Sequence, residues 1–192
     1  MNSSLGGVYL AIVESNKLDE QGRIGITIPH SDRAGSYPAY IASFMAGDQR
    51  GALFLPEKRD QVLVAFVNGV SDAPVVIGCL WSRADKPPES NADGENDVKL
   101  IKTRSGHQVR LVDKNGEESI EIIDKTGNNR IRISSKDNLV TIKAPDGGIV
   151  LDAKTISITS KNGLKIQSTD STVNIEAKGN TTIKGQIVDI NP

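Results

Sequence analysis

All seven aromatic residues of this 192-residue chain (Tyr9, Tyr37, Tyr40, Phe44, Phe54, Phe66 and Trp81) stand in the first 81 positions, and the remaining 111 have none. Aromatic side chains carry much of the burial in a small core. The front of the chain can therefore close such a core, and the back must find burial by other means. Between them residues 86–97 read KPPESNADGEND, with two prolines, four acids and no large apolar residue, the composition of a linker. The sequence thus divides into a first domain over 1–85, a linker over 86–98 and a second domain over 99–192.

Charge is nearly balanced, 23 Lys+Arg against 24 Asp+Glu, which argues against a broadly cationic nucleic-acid binder. It is distributed as −2 over 1–85, −3 over the linker and +4 over 99–192; spread over so long a segment, +4 reads as a solvated face. The single cysteine, Cys79, excludes an intrachain disulfide and a cysteine-cluster metal site. Within VVIGCLW it reads as a small buried hydrophobe. No apolar run approaches the ~20 residues of a membrane span, and the stretch MNSSLGGVYLAIVESN lacks the basic-then-apolar pattern of a secretory signal.

In the first domain, β-rich runs at 8–13, 23–28, 40–44, 61–67 and 74–80 are separated by Gly-, Pro-, Asp- and Asn-bearing turns. No stretch holds apolar residues at helical spacing for three turns. Five or six short strands in about 85 residues predict a small closed barrel of the oligonucleotide/oligosaccharide-binding (OB) type. Barrels that bind single strands combine a basic groove with stacking aromatics. This one is net acidic and its aromatics are not interleaved with Lys or Arg, so no nucleic-acid partner is expected.

From Gly106 onward short alternating runs follow one another: VRLV, SIEII, RIRI, LVTI, GIVL, ISI, LKI, VNI, TTI, IVDI. Taking one inward marker per run gives Ile122, Ile133, Ile142, Leu151, Ile158, Ile166, Ile175, Ile183 and Ile190, which span 68 residues in eight steps, a mean of 8.5. A steady period signals a repeat architecture. Fifteen isoleucines, six valines and nine threonines in 99–192 suit a pleated, half-buried surface. A lone ribbon of this kind is only marginally stable. Either the chain coils into a monomeric β-solenoid, which would suit binding or cleaving polysaccharide, or three chains wind into a triangular prism with the nine markers on its axis. The second is favoured. Nothing helical or aromatic is available to cap a solenoid, and a narrow three-chain axis has no room for aromatics.

The residues also carry a resemblance. RIGITIPH at 23–30 and RGALFLPEKRDQVLVAFVNGVSDAPVVIGCLW at 50–81 resemble the baseplate assembly protein V family, the central spikes of contractile phage tails, together with the VgrG spikes of type VI secretion. Pro56, Val62, Val64, Phe66, Gly69, Pro74 and Gly78 stand at the family's signature places, while Arg59-Asp60 replaces the usual Gly-Asp. SGHQVRLVDKNGEESIEIIDKTGNN at 105–129 resembles the opening of the VgrG prism. The resemblance implies an all-β protein, an OB-type barrel followed by an intertwined trimeric β-helix, acting without catalysis as a cell-puncturing spike. It implies assembly in the bacterial cytoplasm into a phage baseplate or contractile injection particle, a trimeric hub as partner, and transient contact with the target cell envelope. Some short phage spikes end in a His-x-His motif that binds iron. Here the only histidines are His30 and His107, so no metal or other cofactor is expected. Ile187, Val188, Ile190, Asn191 and Pro192 would instead meet a PAAR-type tip protein.

Other groups read as structural. Adjacent loop residues such as His30, Ser31 and Asp32 point apart, whereas a nucleophile and its base need hydrogen-bond reach. His107 follows a glycine and reads as a turn residue. Asp113, Glu117, Glu118, Glu121 and Asp124 could suggest a glycosidase pair, but they alternate with Lys and no pocket-forming segment accompanies them.

Overall fold

The computed structural model describes residues 7–29, 35–70 and 72–190; His30, Ser31, Asp32, Asn191 and Pro192 lie outside them. The first domain is built from β1 (Val8–Ser15), β2 (Ile24–Thr27), β3 (Tyr37–Ile41), a small hairpin of β4 (Ala46–Gly47) and β5 (Arg50–Gly51), β6 (Gln61–Phe66) and β7 (Pro74–Leu80). Five strands close in the order β1-β2-β3-β7-β6, with β3 and β7 parallel and the other neighbours antiparallel. This is the all-β barrel that the turn-punctuated runs predict.

Two-residue alternation closes it. Ala11 and Val13, Ile24 and Ile26, Val62 and Val64 point inward and are at most 1% exposed. Tyr37, Ala39, Phe66 and Val76 complete the core, and Tyr9 meets Phe66 edge-on at 5.3 Å between ring centroids. The β6–β7 connection turns on Asn68-Gly69, with φ of +53° and +71°. That left-handed pair makes a tight turn, closed by Val70 N–H to Val67 O at 3.0 Å, inside the longer connection.

Three expectations are corrected here. The third strand forms at Tyr37–Ile41 rather than 40–44, because Tyr37 and Ala39 fill the core. The aromatics enter the core only in part: Tyr37 and Phe66 join it, while Tyr40, Phe44, Phe54 and Trp81 are exposed. Cys79 is exposed as well. The β6–β7 register slips between Leu63 and Val64, and past that bulge the strand leaves the core. Partial desolvation, and then the Asp60 carboxylate, still push its thiol above the usual range.

After the linker, β8 (Val98–Lys102), β9 (Gln108–Val112), β10 (Ser119–Ile123), β11 (Arg130–Ser134) and β12 (Leu139–Lys143) form an antiparallel meander in chain order. Turns at 103–107, 113–118, 124–129 and 135–138 are closed by backbone bonds such as Gly106 N–H to Thr103 O and Gly127 N–H to Asp124 O, both 3.0 Å. The chain separates into two compact units, Met1–Gly147 and Gly148–Pro192. In the second, no helix or strand forms among the described residues, and all of them are exposed.

Candidate assembly surfaces

The meander register gathers its aliphatic side chains on one face. Ile101, Val109, Ile122, Ile131 and Ile142 form one cross-strand row, and Leu111, Ile120, Ile133 and Val140 form the next, beside Lys99. All nine are exposed, between 42% and 64%. Full burial of such a side chain is worth ~1.5–3 kcal/mol, so each leaves on the order of 1 kcal/mol unrealised in a single chain. Nine in contiguous rows are more than the scattered surface aliphatics of an ordinary monomer.

The opposite face carries the charge. Leu100, Arg110, Glu121, Arg132 and Thr141 lie in register across its middle. Arg132 Nε stands 3.2 Å from Glu121 Oε1, but out of line for a hydrogen bond, which leaves that buried N–H unsatisfied. The Glu121 side chain is only 12% exposed. The meander therefore shelters its charged ladder better than its aliphatic rows, the reverse of what a free-standing sheet prefers.

The sequence markers separate accordingly. Ile122, Ile133 and Ile142 share the aliphatic face. Leu151, Ile158, Ile166, Ile175, Ile183 and Ile190 fall in the second unit, each at least 62% exposed and none in a ladder. Ile187 and Val188 are exposed there too. One marker per strand missed two thirds of the face. Ile101, Val109, Leu111, Ile120, Ile131 and Val140 follow from the same i, i+2 alternation.

The turn ends carry local chemistry. His107 N–H donates to Thr103 Oγ1 at 3.0 Å, and His107 Nδ1 accepts the Lys125 N–H at 3.2 Å, so this imidazole ties two adjacent turns together. The Thr126 hydroxyl, then the Asn129 N–H and side-chain amide, hold the Asp124 carboxyl below its usual range. Lys114 does the same for Glu117, and the pair raises Lys114 in return. Asp113 pairs with Lys99 at 2.6 Å, and Glu118 accepts the Gly116 N–H at 3.1 Å. Each of these carboxylates thus has a local partner. Among the described residues no three His, Cys, Asp or Glu side chains converge to hold a metal ion.

On the barrel, residues 41–55 project as a loop around β4 and β5, over a shallow cavity of about 830 Å³ lined also by Leu18, Gln21 and Gly22. Phe44 is 86% exposed there and Leu53 72%. Nothing in the run of residues 41–55 marks this surface beforehand, because an aromatic side chain suits a core and an exposed loop tip alike.

Residues 9–81, from β1 to the end of β7, match the family of the type VI secretion system/phage-baseplate injector OB domain. The barrel is similar to an injector OB domain. A curated relative, the actin cross-linking toxin VgrG1 of Vibrio cholerae serotype O1, is 27% identical over 95 residues, which is 47% of this chain and 8% of that protein. The chain thus spans less than a tenth of that relative, and the actin cross-linking in its name belongs to that protein. The two comparisons bear out the resemblance to the VgrG-type baseplate spikes.

Proposed function

We propose that the chain is the non-enzymatic central spike of a contractile injection baseplate. Three copies associate. Their injector barrels dock on a trimeric hub, and their C-terminal halves wind together into a triangular β-helix with Leu151, Ile158, Ile166, Ile175, Ile183 and Ile190 on its axis. Three chains supply each other's missing strand partners, so the backbone groups of the second unit find bonds and the aliphatic rows find cover. A stiff ladder then transmits contraction to a narrow end, where Ile187, Val188, Ile190, Asn191 and Pro192 meet a PAAR-type tip, and the target envelope is breached. The particle assembles in the bacterial cytoplasm as a phage tail or a related injection device.

The observation that carries this reading is the combination of an injector barrel with an aliphatic face and an alternating tail that one chain leaves exposed. The test compares two neighbouring substitutions. Ile158→Asp places three carboxylates at one level of the axis, at a cost of several kcal/mol, whereas Thr159→Asp faces solvent. Ile158→Asp is expected to abolish the trimer or lower its melting temperature markedly, with Thr159→Asp close to the parent. Equal behaviour of the two contradicts the axial placement.

A further inference from the structure

The injector barrel carries two unlike apolar patches that its own fold leaves uncovered. The first is the hairpin loop, where Phe44, Leu53, Phe54 and Met45 are 86%, 72%, 64% and 49% exposed. This loop is built. The Ser43 hydroxyl reaches Ala52 O at 2.9 Å and Met45 O at 3.0 Å, and Ala52 N–H donates to Met45 O at 3.0 Å. Gly51, at φ +150°, passes so close that a Cβ there would stand 2.6 Å from Met45 O. The apolar tip is a shaped surface on a constrained turn.

The second patch is the outer wall of β1, β6 and β7. Alternation turns Val8, Leu10 and Ile12 outward on β1, opposite Ala65, Leu63 and Gln61 of β6. Across β6 lie Val75 and Leu80, with Ile77 at the bulge. Val8, Leu10 and Ile77 are 55%, 44% and 48% exposed.

The placement of the two patches decides between occupants. In the closed order β1-β2-β3-β7-β6, the wall is centred on β6 and the strands not adjacent to it are β2 and β3. The hairpin follows β3 and shares its cavity with Gln21 and Gly22 before β2. The patches therefore belong to opposite sides of the barrel. A partner stacked on a ring needs one patch per copy, whereas a rotational ring needs two different ones, a knob and a seat. The hairpin offers roughly 500 Å² of apolar surface, a large share of the about 800 Å² that each side of a stable interface buries. Charge agrees: Arg50 stands on the hairpin, and Glu14 continues the outward row of β1, with Lys58 no nearer than 3.9 Å.

We propose that the hairpin of one barrel seats on the β1–β6–β7 wall of the next copy, closing a ring of three barrels. This rests on the trimeric reading above and adds the barrel contact to it. In the full chain, Phe44→Cys in a Cys79→Ala background is labelled with a benzophenone maleimide and irradiated. Links are then mapped by denaturing gel and peptide mass spectrometry, and native mass is measured on the same sample. A parallel sample carries the label at Met45→Cys. The ring predicts links between chains that land in residues 8–15, 61–66 or 74–80, reduced at least fivefold by Leu10→Asp. A trimeric mass with links confined to single chains, or landing elsewhere on a neighbour, overturns the barrel contact and leaves the trimer standing. A monomeric mass overturns both.

Discussion

Arg59 holds a backbone that favours glycine. Its φ is +82°, while its N–H donates to Val13 O at 2.8 Å, so the turn before β6 is fixed around a left-handed residue that carries a side chain. The resembling families place Gly here, and the angle explains why. Arg59→Gly keeps the hydrogen bond and releases the strain, so the barrel is expected to gain about 0.5–1 kcal/mol, visible as a higher melting temperature. Asp124 makes a pH prediction. Thr126 and Asn129 hold its folded-state carboxyl below the unfolded value of about 3.9. That support is complete above the unfolded value and is lost as pH falls through the folded one. Asp124→Asn should therefore flatten the acid limb of the stability curve below about pH 4 and leave its neutral part parallel to the parent's. An unchanged acid limb means that the Asp124 turn contributes nothing there.

At the scale of elements, the meander is sorted by register into an aliphatic face and a charged one, and substitutions should follow that sorting. Ile131→Asp, in the middle of the exposed row, is expected to weaken self-association by several kcal/mol. Thr141→Asp, on the other face, should change it little. Sedimentation across a dilution series separates them, and equal effects would deny the aliphatic face its role. Much of this was legible beforehand. Turn residues and two-residue alternation located all five barrel strands within a few residues, and VRLV, SIEII, RIRI and LVTI became β9 to β12. The failures share a cause: hydrophobicity was equated with burial. The aromatics were read collectively as material for a core, although Phe44 and Phe54 flank the short Gly-bearing hairpin, and Cys79 reads as buried because a one-residue slip between β6 and β7 leaves no mark in an apolar run. The strand at Val98–Lys102 straddles the boundary drawn at 98 and went unread, since VKLIK alternates too briefly to stand out.

For the whole molecule, one sequence carries two solutions to burial. The barrel closes on itself around Ile24, Ile26, Val62 and Val64. The rest has alternation without enclosure: nine aliphatics on an open face, then a tail whose marker residues are at least 62% exposed. Such a chain either associates or stays loose, and the proposed spike follows if it associates in threes. The native mass of the full chain at micromolar concentration, by sedimentation equilibrium, tests this most directly. The account predicts a single species near 62 kDa, three times 20.6 kDa. A 20.6 kDa species that unfolds cooperatively through its C-terminal half would contradict it.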